Sequence, residues 1–297
     1  MSPSDRRRTY AELTEGTAAD IAGQLAERRQ RLERRLAGVR HTLAVLSGKG
    51  GVGKSLIAAN LAACLADQGA SVGVLDADLN GPSMPRLLGV ERSSLRVEGD
   101  GIAPAVGAAA VKVMSMDLWL EGPDSPVRWR GTESGSFLWR GTLEANALRE
   151  FLSDTAWGDL DYLILDLPPG TDRIAPVHDL LPGLGGALAV TIPSELSRFV
   201  VSKSLTMVKE LGIPIVGYVE NMSGYLCPDC GRIGPLFSTE AAPFEGVPRL
   251  AAVPFDPRFG AEGDAGRPDV LGRPDAPAAR AVRDLARAVR QFYENGS

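Results

Sequence analysis

One octapeptide, Gly48-Lys49-Gly50-Gly51-Val52-Gly53-Lys54-Ser55, constrains this chain more than any other feature. An apolar run, Thr42–Leu46, leads into it and an Ala/Leu-rich stretch, Ser55–Gln68, leads out, so the spacing predicts strand, tight loop and helix. Glycines let consecutive backbone N–H groups turn inward around an anion without a Cβ clash. The start of the helix adds its own free N–H groups and partial positive charge. A nucleotide's phosphates suit such a cradle. The expected contacts run through Gly48, Lys49, Gly50, Gly51, Val52, Gly53, Lys54, Ser55 and Leu56. Lys54 is expected to reach the β- and γ-phosphates and Ser55 to offer its hydroxyl to Mg²⁺.

The rest of the chain repeats this alternation. Val72–Leu75, Val111–Met114, Tyr162–Leu165, Ala187–Ile192, Ile215–Val219 and Leu250–Val253 read as strands. Leu143–Ser153 and Arg198–Leu211 read as helices between them. Strands and helices in alternation imply parallel strands joined by right-handed crossovers, with helices on both faces. The expected fold is a single three-layer α/β/α P-loop NTPase domain with a mostly parallel central sheet, spanning residues 41–297. Residues 1–40 are expected to form a flexible segment followed by an amphipathic helix from Thr17 to Arg40. In that helix Ile21, Leu25, Leu32, Leu36 and Val39 recur at helical spacing. Gly/Pro clusters at Gly81–Pro85, Gly122–Pro126, Pro168–Gly170 and Gly260–Pro268 read as loops. A net charge of −5 and no basic block on the body argue against nucleic acid. No run of about 18 apolar residues is present, so no membrane partner is expected. Three cysteines cannot build a disulfide framework, which suits the cytoplasm.

Acidic residues stand at two strand ends. Leu75-Asp76-Ala77-Asp78 places two carboxylates where open α/β sheets bind ligands, and strand alternation predicts both on one face. Leu163-Ile164-Leu165-Asp166 is a buried strand ending in an acid, the Walker B pattern, with Asp166 expected to hold Mg²⁺ through water. Asn221 ends another apolar run, and Cys227-Pro228-Asp229-Cys230 begins six residues later. One CxxC supplies two thiolates, whereas zinc or an iron–sulfur cluster usually takes four ligands. No second CxxC exists, and Cys64, inside the helix after the loop, reads as a buried small hydrophobe. Three uses of the pair stay open: a cluster bridging two chains, a zinc site, or a redox dithiol.

Taken in order, these motifs resemble known families. Lys49, the second lysine of the loop, resembles the deviant Walker A ATPases such as MinD, ParA and the nitrogenase iron protein. That resemblance implies a homodimer completed by ATP, with Lys49 reaching the facing subunit's nucleotide. It also implies Lys49, Lys54 and Asp76 as catalytic groups, Asp76 positioning the attacking water. Ser55, Asp78 and Asp166 would then serve Mg²⁺, and Asn221 the adenine edge. Adding Leu75–Gly89, Asp161–Thr171, Glu220–Gly224 and Cys227–Cys230, the chain resembles the Mrp/ApbC family of iron–sulfur cluster carrier ATPases. This implies an ATP-hydrolysing carrier of a [4Fe–4S] cluster held by Cys227 and Cys230 across the dimer. Its partners would be apo iron–sulfur proteins and cluster-assembly proteins. The alternative is a MinD/ParA-like positioning ATPase without a cluster. The chain departs from the family at Asp172-Arg173 after Thr171, at Leu56, and in an apparent insertion at Arg130–Arg140.

Overall fold

Strands buried on both faces need apolar side chains at every position, not at alternate ones. β1 (Val39–Leu46) follows that rule from Leu43 onward and β7 (Leu160–Asp166) from Tyr162 to Leu165, while every residue of β2 (Val72–Asp76) and β8 (Gly186–Thr191) is buried. The computed structural model describes residues 17–91, 95–98, 101–120, 122, 125, 137–237 and 243–296. Among these, nine strands form one sheet. With β5 (Ala105–Val106), β6 (Lys112–Met114), β9 (Ile215–Leu226) and β10 (Ile233–Gly234), its order is β10-β9-β8-β1-β7-β2-β6-β5. β11 (Arg249–Phe255) also pairs with β9. Pairing is parallel except for the two short pieces β5 and β10. A separate two-stranded ribbon joins β3 (Val97–Glu98) to β4 (Gly101–Ile102).

Successive residues of β1 divide between two cores. Leu43 and Val45 join Ile57, Leu61, Val282 and Leu285 on one face. Ala44 and Leu46 join Leu32, Leu152, Trp157 and Val201 on the other. The first face is covered by α2 (Lys54–Asp67), α3 (Met84–Leu87), α7 (Pro257–Asp264), α8 (Asp269–Gly272) and α9 (Pro277–Asn295). The second carries α1 (Thr17–Leu36), α4 (Phe137–Asp154), α5 (Ile174–Leu180) and α6 (Glu195–Glu210). This is the expected three-layer α/β arrangement.

Differences from the sequence reading have local causes. α1 ends at Leu36, and Val39 and Arg40 already belong to β1. Gly38 lies against Asp159 so closely that a Cβ would collide, which suits a turn and not a continuing helix. Within Gly260–Pro268, read as a loop, Gly260–Asp264 belongs to α7. Asp256 caps that helix by accepting from the Arg258 amide, and Pro257 occupies its first turn. β9 continues past the expected end at Val219 to Leu226. The flexible segment expected before Thr17 lies outside the described residues, as do positions 130–136 of the apparent insertion.

Both terminal helices dock on the body. Arg31 pairs with Asp154 at 3.3 Å and Arg35 donates to the Ser153 carbonyl at 3.2 Å, joining α1 to the end of α4. On α9, Ala278, Ala279, Val282, Leu285, Ala286, Val289 and Tyr293 are buried, so its apolar stripe is covered by the protein itself. No helix among the described residues is long and apolar enough to cross a membrane.

Candidate functional site

The glycine-rich loop sits at the carboxyl edge of β1, between the ends of β7 and β8. Gly51 and Gly53 adopt φ of 78° and 79°, the left-handed region where an L side chain costs about 1–2 kcal/mol. The loop is braced from several sides. Ser47 Oγ donates to the Lys49 carbonyl at 3.0 Å, and the Gly170 amide donates to the Ser47 carbonyl at 3.0 Å. A Cβ on Gly48 would strike Val200 of α6. Asn221 Nδ2 donates to the Val52 carbonyl at 2.8 Å and fills the space a side chain on Gly53 would need. The loop's shape is thus held by the protein's own contacts. The first amides of α2 have no intrahelical acceptor and point into it.

Three predicted groups meet in one buried cluster. Lys54 Nζ lies 2.6 Å from Asp166 Oδ1, and Ser55 Oγ donates to Asp166 Oδ2 at 2.6 Å. Lys54 is 6% exposed and Asp166 fully buried. Burial pushes the Asp166 carboxyl above the usual range, and the Lys54 ammonium beside it counters part of that rise. Asp76 and Asp166 are partners in the β2–β7 register. Asp76 is pushed up to about 7, first by burial and then by the Asp166 charge.

Here the two acids of the first pair separate. β2 stops at Asp76, so strand alternation does not carry through to Asp78. Asp76 is fully buried and accepts from the Ser83 amide at 2.8 Å, the Met84 amide at 3.0 Å and Ser115 Oγ at 3.1 Å. Asp78 is partly exposed and accepts from the Gly81 amide at 3.2 Å. Asp76 therefore acts as the peg of the segment 77–84, while Asp78 rides on that segment. Ser115 is a functional neighbour that sequence reading missed. Its only signal was its place directly after a strand.

The other expected residues take different positions around the loop. Lys49 is half-buried, and its amine makes no hydrogen bond or ion pair among the described residues. The Leu56 side chain packs towards Gly263, so it can offer the cradle only its amide. Asn221 is brought to the loop, with its amide nitrogen already engaged by Val52. Cys64 is buried in α2, as expected.

Cys227 and Cys230 lie on the same strand system as Asn221. β9 carries Asn221 past the end of β8, and β10 folds back on Tyr225 and Leu226 to make a hairpin. The Cys227 amide donates to the Arg232 carbonyl at 2.9 Å, and the Gly231 amide returns to the Cys227 carbonyl at 2.9 Å. Gly231, at φ 69°, makes the reversal. The amides of Cys230 and Asp229 donate to the Cys227 sulfur and hold its thiol below the usual range. Both cysteines are free, and Cys230 is exposed. Among the described residues no group of three or more His, Cys, Asp or Glu side chains gathers within one chain. A soft four-ligand centre here would need a second copy of the hairpin.

A second network, unforeseen from sequence, joins the end of β11 to α8. Arg273 pairs with Asp256 at 3.0 Å and Asp269 at 2.6 Å, both buried. Asp256 lies directly after β11 and caps α7.

Known proteins resemble this arrangement. The chain is 38% identical over 270 residues to an iron–sulfur cluster carrier protein of Saccharolobus solfataricus, covering 89% of this chain and 88% of that one. It is 40% identical over 263 residues to the cytosolic Fe-S cluster assembly factor NUBP2 of Bos taurus, covering 86% and 93%. A nucleotide-binding protein of Archaeoglobus fulgidus in complex with ADP superposes with a TM-score of 0.66 at 35% identity, over 80% of this chain and 91% of that one. The septum site-determining protein MinD of Pyrococcus horikoshii OT3, complexed with Mg-ADP, shares the fold at a TM-score of 0.61 and 23% identity, over 87% and 99%. A family model described as ParA, the NUBPL iron-transfer P-loop NTPases, matches residues 38–290. With its phosphate loop, paired acids and exposed thiol hairpin on one sheet edge, this chain belongs to that iron-transfer P-loop NTPase family.

Proposed function

We propose that this protein is an ATP-hydrolysing iron–sulfur cluster carrier. It takes a [4Fe–4S] cluster as cargo between Cys227 and Cys230 of two copies and passes it to apoproteins. One observation carries this reading: β9 holds the loop-bracing Asn221 and runs directly into the hairpin turn that carries both thiols. Nucleotide and cargo sites therefore share an edge. Two thiols per chain, with no third ligand gathered beside them among the described residues, favour a centre completed by a second chain over a self-contained zinc site.

Ser55 Oγ and the Asp166 oxygens, with Asp78 close behind, are the hard oxygen donors that Mg²⁺ takes, usually with several waters retained. Mg²⁺ bound there supplies positive charge to the β- and γ-phosphate oxygens. Lys54 turns from Asp166 to the phosphates, and the amides of residues 50–56 cradle them. The Lys49 amine, without a partner among the described residues, reaches the nucleotide of a facing subunit. Asp76 holds the segment 77–84 in place, and through it presents Asp78 and the attacking water to the γ-phosphate. Water adds to the γ-phosphorus as the bond to the β-phosphate oxygen breaks, giving ADP and phosphate. The positioning-ATPase alternative loses its membrane device, since the apolar face of α9 is already covered.

Anaerobic reconstitution of the wild type beside the Cys227→Ala/Cys230→Ala variant tests the cargo site. Iron and sulfide retained at about four per dimer, with absorbance near about 400 nm that the variant lacks, is the expected result. Zinc retained equally by monomers, or iron retained by the variant, refutes the reading.

A further inference from the structure

Between Asn221 and Cys227 the strand contains an irregularity that its neighbours make conspicuous. After one register shift between Ala187 and Leu188, β9 pairs in regular parallel register with β8 from Leu188↔Gly217 to Thr191↔Glu220, where β8 ends. On the other side, Val253 of β11 pairs with Asn221, but the next partner pair is Phe255 with Tyr225. Two steps along β11 thus match four along β9, so the extra length bulges out of β9 over 222–224. Met222 occupies this bulge at φ 55°, one of only three non-glycine residues with positive φ among those described. A non-glycine residue held in the left-handed region is strained and persists only where its surroundings impose it.

Both ends of the bulge are anchored to functional groups. Immediately before it, Asn221 is buried and bonded to the Val52 carbonyl, its amide packed against Gly53. At its far end, Gly224 is pressed against Ile233 and Gly234, tying this end to the thiol hairpin. A bulge re-aims the strand beyond it and localises bending to one place. The hairpin beyond has lost its β8 neighbour and, among the described residues, pairs only with β11 and within itself through β10. Any shift of Asn221 against the phosphate loop must be absorbed at Met222 or passed to Cys227 and Cys230.

We propose that the Asn221–Met222 bulge is the positioning element that couples the occupancy of the phosphate loop to the setting of the Cys227/Cys230 hairpin. The route lies within one chain and uses one strand. It rests on the proposed nucleotide site, but it is testable on free thiols without any cluster. Met222 is a positioning residue: it touches neither phosphate nor cargo, and it acts by fixing the hairpin's angle for each state of the loop.

The test is the rate at which iodoacetamide alkylates Cys227 and Cys230, read by peptide mass spectrometry on the reduced, cluster-free full chain. It is run with and without Mg²⁺ and a non-hydrolysable imido analogue of ATP, beside a direct titration of analogue affinity. In the wild type the analogue is expected to change the rate by about fivefold, the population shift that one left-handed residue's strain can supply. In Met222→Gly, whose backbone takes either hand and so fixes no angle for the hairpin, the change is expected to collapse below about twofold while analogue affinity holds. Met222→Asn, a residue that tolerates the left-handed region, is expected to retain it. Nucleotide-insensitive thiols in the wild type overturn the proposal, as does a response unchanged in Met222→Gly. If Met222→Gly does not fold, the decision falls to Met222→Asn with Met222→Val, which resists positive φ. Equal responses in those two overturn the proposal, and loss in Met222→Val alone supports it. Failure of the analogue to bind the wild type would strike the nucleotide reading itself, and the titration separates that outcome from a failure of coupling.

Discussion

Lys54 is asked to do two things in succession: neutralise Asp166 when the loop is empty, then leave it for phosphate. The first role has a measurable size. At 2.6 Å and an effective dielectric of about 20, the gross attraction is roughly 6 kcal/mol. Desolvation of both buried groups offsets much of that, and breaking such a pair from one side typically costs about 3–5 kcal/mol. Lys54→Met in nucleotide-free protein should therefore lose about 3 kcal/mol at pH 8, a fall in Tm of roughly 6 °C for a chain of this size. The loss should depend on pH in a definite direction. Burial already raises the Asp166 carboxyl above its unfolded value, and removing Lys54 raises it further. A carboxyl raised by folding favours the folded state while protonated and loses that advantage as pH rises through its folded value. The variant should thus recover part of its stability between pH 8 and pH 5, whereas the wild type should change less. Lys54→Met/Asp166→Asn removes both charges and should return most of the lost stability, because a buried pair replaced as a unit is often near neutral. Urea denaturation at the two pH values, on the wild type beside the single and double variants, supplies the numbers. A single variant as stable as the wild type at pH 8, or a double variant no better than the single, would show that the pair is not the buried contact described.

Two more outcomes are expected from the same packing. Gly53→Ala places a Cβ on the Asn221 amide at a φ of 79°, so it should abolish binding of a fluorescent ATP analogue while costing only about 1–2 kcal/mol of stability in urea. A variant that binds normally refutes the pinned loop. Arg273→Met leaves Asp256 and Asp269 buried without their cation and should cost about 3 kcal/mol, with Arg273→Lys recovering part of it in the same denaturation assay. A loss under about 0.5 kcal/mol, the range of ordinary surface changes, would mean that those carboxylates find water instead.

The sequence alone determined the phosphate loop, the parallel α/β alternation and the candidate acids at strand ends. Each of these is written locally: glycines where φ must be positive, apolar runs where strands are covered on both faces, a helix start directly after the loop. Gly51 and Gly53 take the positive φ that such a loop needs, and Lys54, Ser55 and Asp166 come into contact beside it. The CxxC was legible as a pair of thiols, though not as a hairpin, because β10 is two residues long and is defined by its pairing with Tyr225 and Leu226. Tertiary structure decided whatever depends on distant partners. It turned Asp76 into a buried peg by bringing Ser83, Met84 and Ser115 around it, and it left Asp78 on the more open segment. It set Asn221 on Val52, 169 positions away in sequence, and gathered Asp256, Asp269 and Arg273 into one network. Register is the physical reason: strand pairing fixes neighbours to within one residue, and no local pattern encodes which strand lies alongside or where its ladder must bulge.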